Sequence, residues 1–187
     1  MKRAVFLDRD GVLTHSEVRD GKAYAPRRME DFVVFPEAAS VLEQLKQRDF
    51  LLIVVTNQPD VGNGLVEKNV VETMHQKLRA DLPIDDIKVC YASQKENSPM
   101  RKPAPGMLLE AAEEWDIDLK ESFMIGDRWS DVAAGKAAGC KTIFIHRGYQ
   151  EQLPDRPNYV AKSLEEALEA IIEQETEKKV EYEVEIA

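Results

Sequence analysis

Short apolar runs that stop abruptly at polar residues are the dominant pattern along this chain. Phe50–Val55 is a run of six apolar residues, rich in β-branching, and Thr56 follows it. Ala4–Leu7 is a shorter run that stops at Asp8. Runs without polar alternation are typical of parallel strands that are buried on both faces. The pattern therefore predicts a sheet whose strands end in polar side chains.

Helical periodicity alternates with these predicted strands. Helices are predicted from Pro36 to about Arg48, from Val66 to about Leu82, over Met107–Trp115, over Asp131–Ala138 with Gly139 closing it, and from Ser163 onwards. Further strands are predicted over Ile87–Ala92, Ser122–Ile125 and Thr142–Ile145, and an irregular loop over 12–34. This alternation predicts an α/β fold, a three-layer doubly wound sandwich with a mainly parallel central sheet.

The chain shows no linker that would divide it. We therefore expect a single domain over residues 1–187, with its core at about 3–175. Residues 180–186 alternate strictly between apolar and charged, which fits either an edge strand or a charged tail.

The composition narrows the choice of partners. A net charge of −10 argues against nucleic acid, because phosphate backbones attract basic surfaces. The two cysteines make no disulfide framework and favour a reducing, cytoplasmic environment. The first apolar stretch ends at Leu7, too short for a signal peptide or a membrane span. We expect a cytoplasmic monomer or homodimer that acts on a small molecule.

Carboxylates follow two of the predicted strands. Asp8 and Asp10 follow the first strand, and Asp127 follows the fourth. Ligands bind beyond the carboxyl ends of parallel strands, so these carboxylates are expected to meet in one crevice. Mg²⁺ prefers hard oxygen ligands of this kind. The sequence therefore predicts a magnesium site in that crevice.

Two further polar residues complete a set that suits phosphoryl transfer. Thr56 supplies a hydroxyl, and Lys102 supplies a positive charge just before a helix. A metal ion and a lysine neutralise phosphate charge, so that a carboxylate can attack an anionic substrate. One carboxylate can form an acyl phosphate, and a second can protonate the leaving alcohol and then activate water. The predicted function is an Mg²⁺-dependent phosphatase for a small phosphorylated metabolite.

Four segments, taken in order, resemble the motifs of the haloacid dehalogenase (HAD) superfamily. They are Asp-Arg-Asp-Gly-Val from Asp8, Val-Val-Thr-Asn-Gln from Val54, Arg-Lys-Pro-Ala-Pro-Gly-Met from Arg101 and Gly-Asp-Arg-Trp-Ser-Asp from Gly126. The combination is similar to the small, nearly capless branch that holds heptose bisphosphate and histidinol-phosphate phosphatases. The resemblance implies a HAD-like, Rossmannoid fold without a large cap domain. It also implies a sugar phosphate substrate, such as D-glycero-D-manno-heptose 1,7-bisphosphate.

The same resemblance implies catalytic roles. Asp8 would be the nucleophile that takes the phosphoryl group, and Asp10 would be the general acid and base. Lys102 would bridge the nucleophile and the phosphate. Thr56 and Asn57 would bind the phosphate beside the nucleophile.

The remaining motif residues are expected to hold metal and substrate. In the family pattern Asp127 would bind Mg²⁺ through its side chain, together with Asp8 and the backbone carbonyl of Asp10. Asp131 would support the metal site through water or another indirect contact. Arg101 would contact the substrate. Arg128, directly after Asp127, is a further candidate for substrate contact.

One segment departs from the family pattern. Many members of this branch carry a zinc loop, with a Cys-x-His pair and then Cys-x-Cys before the Arg-Lys. Here Ala92 stands where histidine is expected after Cys90, and Ser98–Met100 contains no cysteine. Because one thiolate cannot complete a tetrahedral structural site, we predict no zinc. Because the 93–100 loop differs from the family pattern, the family's substrate is a weaker guide to the substrate of this chain.

Other functions remain compatible with the sequence. Histidinol phosphate is the alternative substrate within the same class. A non-catalytic protein that binds a phosphorylated ligand would keep the fold, but it would be expected to lose at least one of the catalytic residues. Phosphotransfer to an acceptor other than water is a third, weaker option.

Overall fold

The apolar runs form a parallel sheet in the computed structural model, which describes residues 1–185. The strands are β1 (Arg3–Leu7), β2 (Glu17–Arg19), β3 (Lys22–Tyr24), β4 (Phe50–Asn57), β5 (Asp86–Cys90), β6 (Phe123–Gly126), β7 (Lys141–Ile145) and β8 (Tyr159–Ala161). Within the described residues the main sheet has six strands in the order β5-β4-β1-β6-β7-β8, all parallel. β1 therefore lies inside the sheet, between β4 and β6.

Helices cover both faces of this sheet. They are α1 (Ala38–Lys46), α2 (Pro59–Gly62), α3 (Lys68–Asp81), α4 (Gly106–Trp115), α5 (Trp129–Ala138) and α6 (Leu164–Glu185). Val5 and Leu7 belong to the core shared with α1, α3 and α6, whereas Ala4 and Phe6 belong to the core shared with α4 and α5. Successive side chains of a strand point to opposite faces, so β1 contributes to both cores. The predicted three-layer α/β fold is confirmed.

Several local predictions were wrong. The loop predicted over 12–34 contains an antiparallel hairpin of β2 and β3, and Met29–Asp31 forms a 3₁₀ turn. A sixth strand, β8, lies at the edge of the sheet beside β7. Residues 180–185 continue α6 instead of forming an edge strand or a tail, and residue 186 lies outside the described residues.

Helix α5 ends where its sequence indicates, and it begins at Trp129, two residues before the predicted start. Gly139 follows it with φ of +91°, the left-handed conformation that glycine adopts without strain and that closes many helices. The helix starts directly after Asp127 and Arg128, at the edge of the sheet where the polar strand ends meet. Among residues 1–185, no helix combines the length and apolar character needed to cross a bilayer.

Candidate active site

The carboxyl ends of β1, β4 and β6 meet at one edge of the sheet, as the sequence predicted. The backbone N–H of Asp8 donates to the carbonyl of Ile125 at 3.0 Å, which extends the pairing of β1 and β6 up to the first carboxylate. A pocket of about 390 Å³ opens there, a volume in the range of small-molecule sites. Its lining includes Asp8, Asp10, Asn57, Arg101, Lys102, Arg128 and Asp131.

Lys102 is a buried cation beside the pocket. Its Nζ donates to Asp8 Oδ1 at 2.9 Å, to Asp131 Oδ1 at 2.7 Å and to the carbonyl of Val55 at 2.7 Å. Burial opposes the charge of this amine, but the Asp131 and Asp8 carboxylates outweigh that effect and raise the pKa of Lys102. Lys102 is thus a fixed positive charge at the carboxylate of Asp8.

Three buried carboxylates form a cluster suited to a cation. Oxygens of Asp8, Asp127 and Asp131 lie within 4.8 Å of one another. Burial raises the pKa of Asp127 well above its usual value, and the charges of Asp8 and Asp131 raise it further. Burial, together with the charge of Asp131, also raises the pKa of Asp8, although Lys102 opposes this shift. The cluster therefore carries more negative charge than Lys102 alone compensates.

The carboxylate of Asp127 is free to bind an ion. Both of its oxygens are buried and accept no hydrogen bond of good geometry among the described residues; the nearby Tyr149 hydroxyl lowers the pKa of Asp127 but does not outweigh burial. A buried carboxylate without partners is costly unless a cation compensates it. Carboxylate oxygens are also the donors that Mg²⁺ prefers. The residues present therefore fit a divalent cation.

Gly11 provides the space that Asp127 occupies. A Cβ atom at position 11 would lie 1.8 Å from Asp127 Oδ2, and the φ of Gly11 is +87°. Glycine alone adopts such a φ without strain and leaves room for the carboxylate. The glycine of the first motif therefore lets the turn after β1 pack against the acidic cluster.

Asp10 is held by residues that the sequence did not single out. Its two oxygens accept hydrogen bonds from Arg9 Nε and Nη2, each at 3.0 Å. Gln58 Nε2 donates to Oδ2 at 2.9 Å, and the Thr14 hydroxyl donates to Oδ1 at 3.2 Å. The backbone beyond β1 turns sharply, so that Gly11 N–H donates to the Thr14 carbonyl at 2.7 Å. Asp10 lines the pocket with a fixed carboxylate.

Of Thr56 and Asn57, Asn57 lines the pocket and Thr56 does not. The Thr56 side chain is buried, and its hydroxyl oxygen accepts a hydrogen bond from Gln58 Nε2 at 2.9 Å. Asn57 lines the pocket, but its amide group is bound to the main chain of Lys102: Nδ2 donates to the Lys102 carbonyl at 3.0 Å, and Oδ1 accepts from its N–H at 3.1 Å. Asn57 thus fixes the segment that carries Lys102.

Two arginines line the outer part of the pocket. Arg128 Nε donates to Glu151 Oε2 at 2.8 Å, and Glu151 Oε1 also accepts from the N–H of Ala23 in the β2–β3 hairpin. The Arg101 guanidinium donates to the carbonyl of Ala92, and within the described residues it forms no salt bridge. Both predicted substrate contacts therefore lie at the pocket, and Glu151 is a link that the sequence analysis missed.

Acidic strand ends, a buried lysine and an open pocket together define a metal-assisted hydrolase of phosphate esters. A "HAD-hydrolase-like" family model matches residues 99–167. A heptose-1,7-bisphosphate 7-phosphatase of Pasteurella multocida is 34% identical over 181 residues, covering 88% of this chain and 94% of that protein. The Rhodopseudomonas palustris enzyme is 34% identical, over 73% of this chain and 79% of its own. The chain belongs to the HAD superfamily, in the branch of these relatives, and is a phosphoric monoester hydrolase.

A solved structure agrees with this assignment. The D,D-heptose 1,7-bisphosphate phosphatase of B. bronchiseptica, crystallised with magnesium and phosphate, has a TM-score of 0.79 and 25% identity. The match covers 92% of this chain and 99% of that one. The similarity therefore extends over nearly the whole fold, including the edge of the sheet that carries the acidic cluster.

Proposed function

We propose that this phosphatase removes a phosphate from D-glycero-D-manno-heptose 1,7-bisphosphate in an Mg²⁺-dependent reaction, through an aspartyl-phosphate on Asp8. The observation that carries the proposal is the contact between Lys102 Nζ and Asp8 Oδ1, 2.9 Å apart at the lining of an open pocket. The second oxygen of Asp8 is not bound by Lys102. A carboxylate held at one oxygen by a cation presents the other oxygen to a substrate in a fixed direction.

Asp8 and Asp10 divide the chemistry between them. A bond forms between a carboxylate oxygen of Asp8 and phosphorus, while the bond between phosphorus and the leaving oxygen breaks. Asp10, which enters this step protonated, gives that oxygen its proton. Asp10 then takes a proton from water, which attacks phosphorus and breaks the bond to Asp8. Inorganic phosphate is released, and Asp8 returns to its carboxylate form. Lys102 and the Thr56 hydroxyl bind phosphate oxygens in both steps.

Mg²⁺ is the cation that best suits the acidic cluster. Asp8 and Asp127 would hold it with their side chains and Asp10 with its backbone carbonyl, while Asp131 acts indirectly. Asp131 is engaged elsewhere, because its oxygens accept from Lys102 Nζ and from the backbone N–H of Arg128. When bound, the ion supplies charge neutralisation to the phosphoryl oxygens. The unpartnered oxygens of Asp127 support this assignment.

The charge of the pocket favours a bisphosphate over histidinol phosphate. Arg101 and Arg128 lie at the pocket lining, outside the cluster that receives the first phosphate. The charge of Arg128 is paired with Glu151, whereas Arg101 forms no salt bridge among the described residues. A second phosphate is attracted to these guanidinium groups, whereas the ammonium group of histidinol is repelled. Heptose 1,7-bisphosphate carries such a second phosphate, and relatives of this chain are named for both its β and its α anomer.

A loop without zinc is also part of the proposal. Residues 93–100 are held by hydrogen bonds within the loop and to its neighbours: Ser93 N–H donates to Glu96, Met100 N–H to Ser98 Oγ, and Gly106 N–H to the Pro99 carbonyl. Cys90 Sγ lies 3.9 Å from the hydroxyl of Ser98, which stands where the family's zinc loop has a cysteine. We expect elemental analysis of the purified protein to find far less than one zinc per chain; one zinc per chain would contradict this expectation.

Phosphate release from a substrate panel tests the proposed substrate. The panel contains the β and α anomers of heptose 1,7-bisphosphate, the corresponding 1-phosphate and 7-phosphate, and histidinol phosphate, each with Mg²⁺ and with a chelator. We expect a bisphosphate to have the highest kcat/KM and the chelator to remove activity.

Arg101→Met distinguishes substrate recognition from chemistry in the same assay. The variant is expected to raise KM for the bisphosphate about tenfold, the scale of one charge-assisted contact. It should leave KM for a monophosphate nearly unchanged, because only the bisphosphate has a group for Arg101. Higher kcat/KM for histidinol phosphate than for either bisphosphate would reject the proposed substrate while leaving the phosphatase intact.

A further inference from the structure

Arg9 is a fully buried arginine directly between the two catalytic aspartates. Its relative exposure is 0%, which is rare for a charged side chain and costly unless its donors are paired. Strand alternation directs it away from the face of Asp8. Nevertheless its guanidinium returns to Asp10 and binds both carboxylate oxygens, each at 3.0 Å. A bidentate pair of this kind fixes the plane of the carboxylate as well as its position.

Two other residues fix the guanidinium itself. His75 Nε2, on α3, lies 3.1 Å from Arg9 Nη1, and the ring of Phe32 lies 5.2 Å from Arg9 Cζ. Arginine only donates hydrogen bonds, so the Nε2 atom of His75 must be the acceptor and the ring must be neutral. Burial and the charge of Arg9 lower the pKa of His75 to about 4, which agrees with a neutral ring.

We propose that Arg9 and His75 are positioning residues that orient the carboxyl group of Asp10 for proton transfer to the leaving oxygen. The chain of contacts runs from α3 through His75 and Arg9 to Asp10, and every link is buried or partly buried. His75 does not line the pocket and forms no hydrogen bond to Asp10 among the described residues, so its hydrogen-bonded route to the reaction passes through Arg9. The inference rests on the general-acid role proposed above for Asp10.

The leaving group decides how much this orientation matters. When the bond between phosphorus and an alkoxide oxygen breaks, the oxygen needs a proton, because the free alkoxide is strongly basic. A 4-nitrophenolate leaves without a proton. The value of kcat/KM includes only steps up to formation of the aspartyl-phosphate, so it reports on the acid step alone. A misplaced Asp10 carboxyl group therefore lowers kcat/KM for alkyl phosphates more than for 4-nitrophenyl phosphate.

His75→Leu tests the inference. We expect kcat/KM for the best alkyl phosphate of the panel to fall about tenfold, a fraction of the full value of general-acid catalysis. We expect kcat/KM for 4-nitrophenyl phosphate to change less than about twofold. His75→Gln, whose amide oxygen can accept from Arg9, is expected to restore most of the alkyl activity.

Two control variants separate the possible failures. Leu78→Ala, a change in the apolar core on the same helix, controls for lower stability and should not change the ratio of the two activities. Asp10→Asn should lose alkyl activity far more than aryl activity. If Asp10→Asn discriminates but His75→Leu lowers both activities equally, or neither, the positioning role is wrong. If Asp10→Asn itself does not discriminate, the proposed role of Asp10 fails, and the inference fails with it.

Discussion

Replacing Asp8 by asparagine is expected to lower kcat by about four orders of magnitude or more, the scale seen when a catalytic nucleophile is removed. The amide has nearly the shape of the carboxylate but cannot form the acyl phosphate. The amide oxygen of the variant would still receive the hydrogen bond from Lys102 Nζ that Asp8 Oδ1 now accepts. Phosphate release under single-turnover conditions is the decisive measurement, because it does not depend on product release.

Asp60→Asn is a matched control for this prediction. Asp60 lines the same pocket and is paired with Arg27 at 2.8 Å, outside the acidic cluster. The same chemical change there should alter kcat less than about threefold, the modest effect of an exposed ion pair. Asp8→Asn should also unfold no earlier than the wild type, because it removes one negative charge from a crowded cluster. An Asp8→Asn protein that keeps substantial turnover would show that another group attacks phosphorus.

The sequence predicted which strand ends meet at the site, but not the hydrogen bonds that hold the side chains there. Asp8, Thr56 and Asp127 follow apolar runs, and parallel strands must bring such ends to one edge of the sheet. Lys102 was a candidate from its place just before a helix, but its contact with Asp8 came only from the family resemblance, because that contact depends on the path of a loop. The role of Asn57 in holding the Lys102 main chain depends on two loops meeting, and no local pattern in either segment encodes it.

His75 and Arg9 show where a signal was present but incomplete. Val71, Met74, His75 and Leu78 form the buried stripe of α3, so helical spacing marks position 75 as facing inwards. Helical spacing does not show which residue His75 contacts. Arg9 is long enough to turn back from the opposite face, and only the packed structure determines which group it meets.

The missed hairpin and the continued helix have separate explanations. β2 and β3 are three residues each, too short for periodicity, although Asp20–Gly21 is a strong hairpin signal and both residues have positive φ. Alternation in 180–186 fitted either an edge strand or a charged tail. However, no glycine or proline interrupts the chain after Ser163, so nothing stops the helix that starts there.

Asp127→Asn is expected to affect stability and activity in opposite directions. Both oxygens of Asp127 are buried and accept no hydrogen bond of good geometry among residues 1–185, and the burial that raises its pKa makes its charge costly to the metal-free fold. The neutral amide removes that cost, so the metal-free variant should be more stable than the wild type. Phosphatase activity should fall at least about a hundredfold, because an anionic metal ligand is lost.

Mg²⁺ titration followed by thermal unfolding measures both effects. In the wild type Mg²⁺ should raise Tm, because an ion that binds only the folded state stabilises it by mass action. Asp127→Asn should begin with a higher Tm and respond little to Mg²⁺. Asp131→Asn is the matched control, since Asp131 already accepts from Lys102 at 2.7 Å and from the Arg128 N–H at 3.0 Å. In Asp131→Asn the same change weakens two hydrogen bonds that the Asp131 carboxylate already accepts, so the metal-free variant should be less stable than the wild type. If Asp127→Asn lost stability, the buried charge of Asp127 would not be costly to the metal-free fold. If the variant still gained as much from Mg²⁺ as the wild type, the cation would have to bind elsewhere than at Asp127.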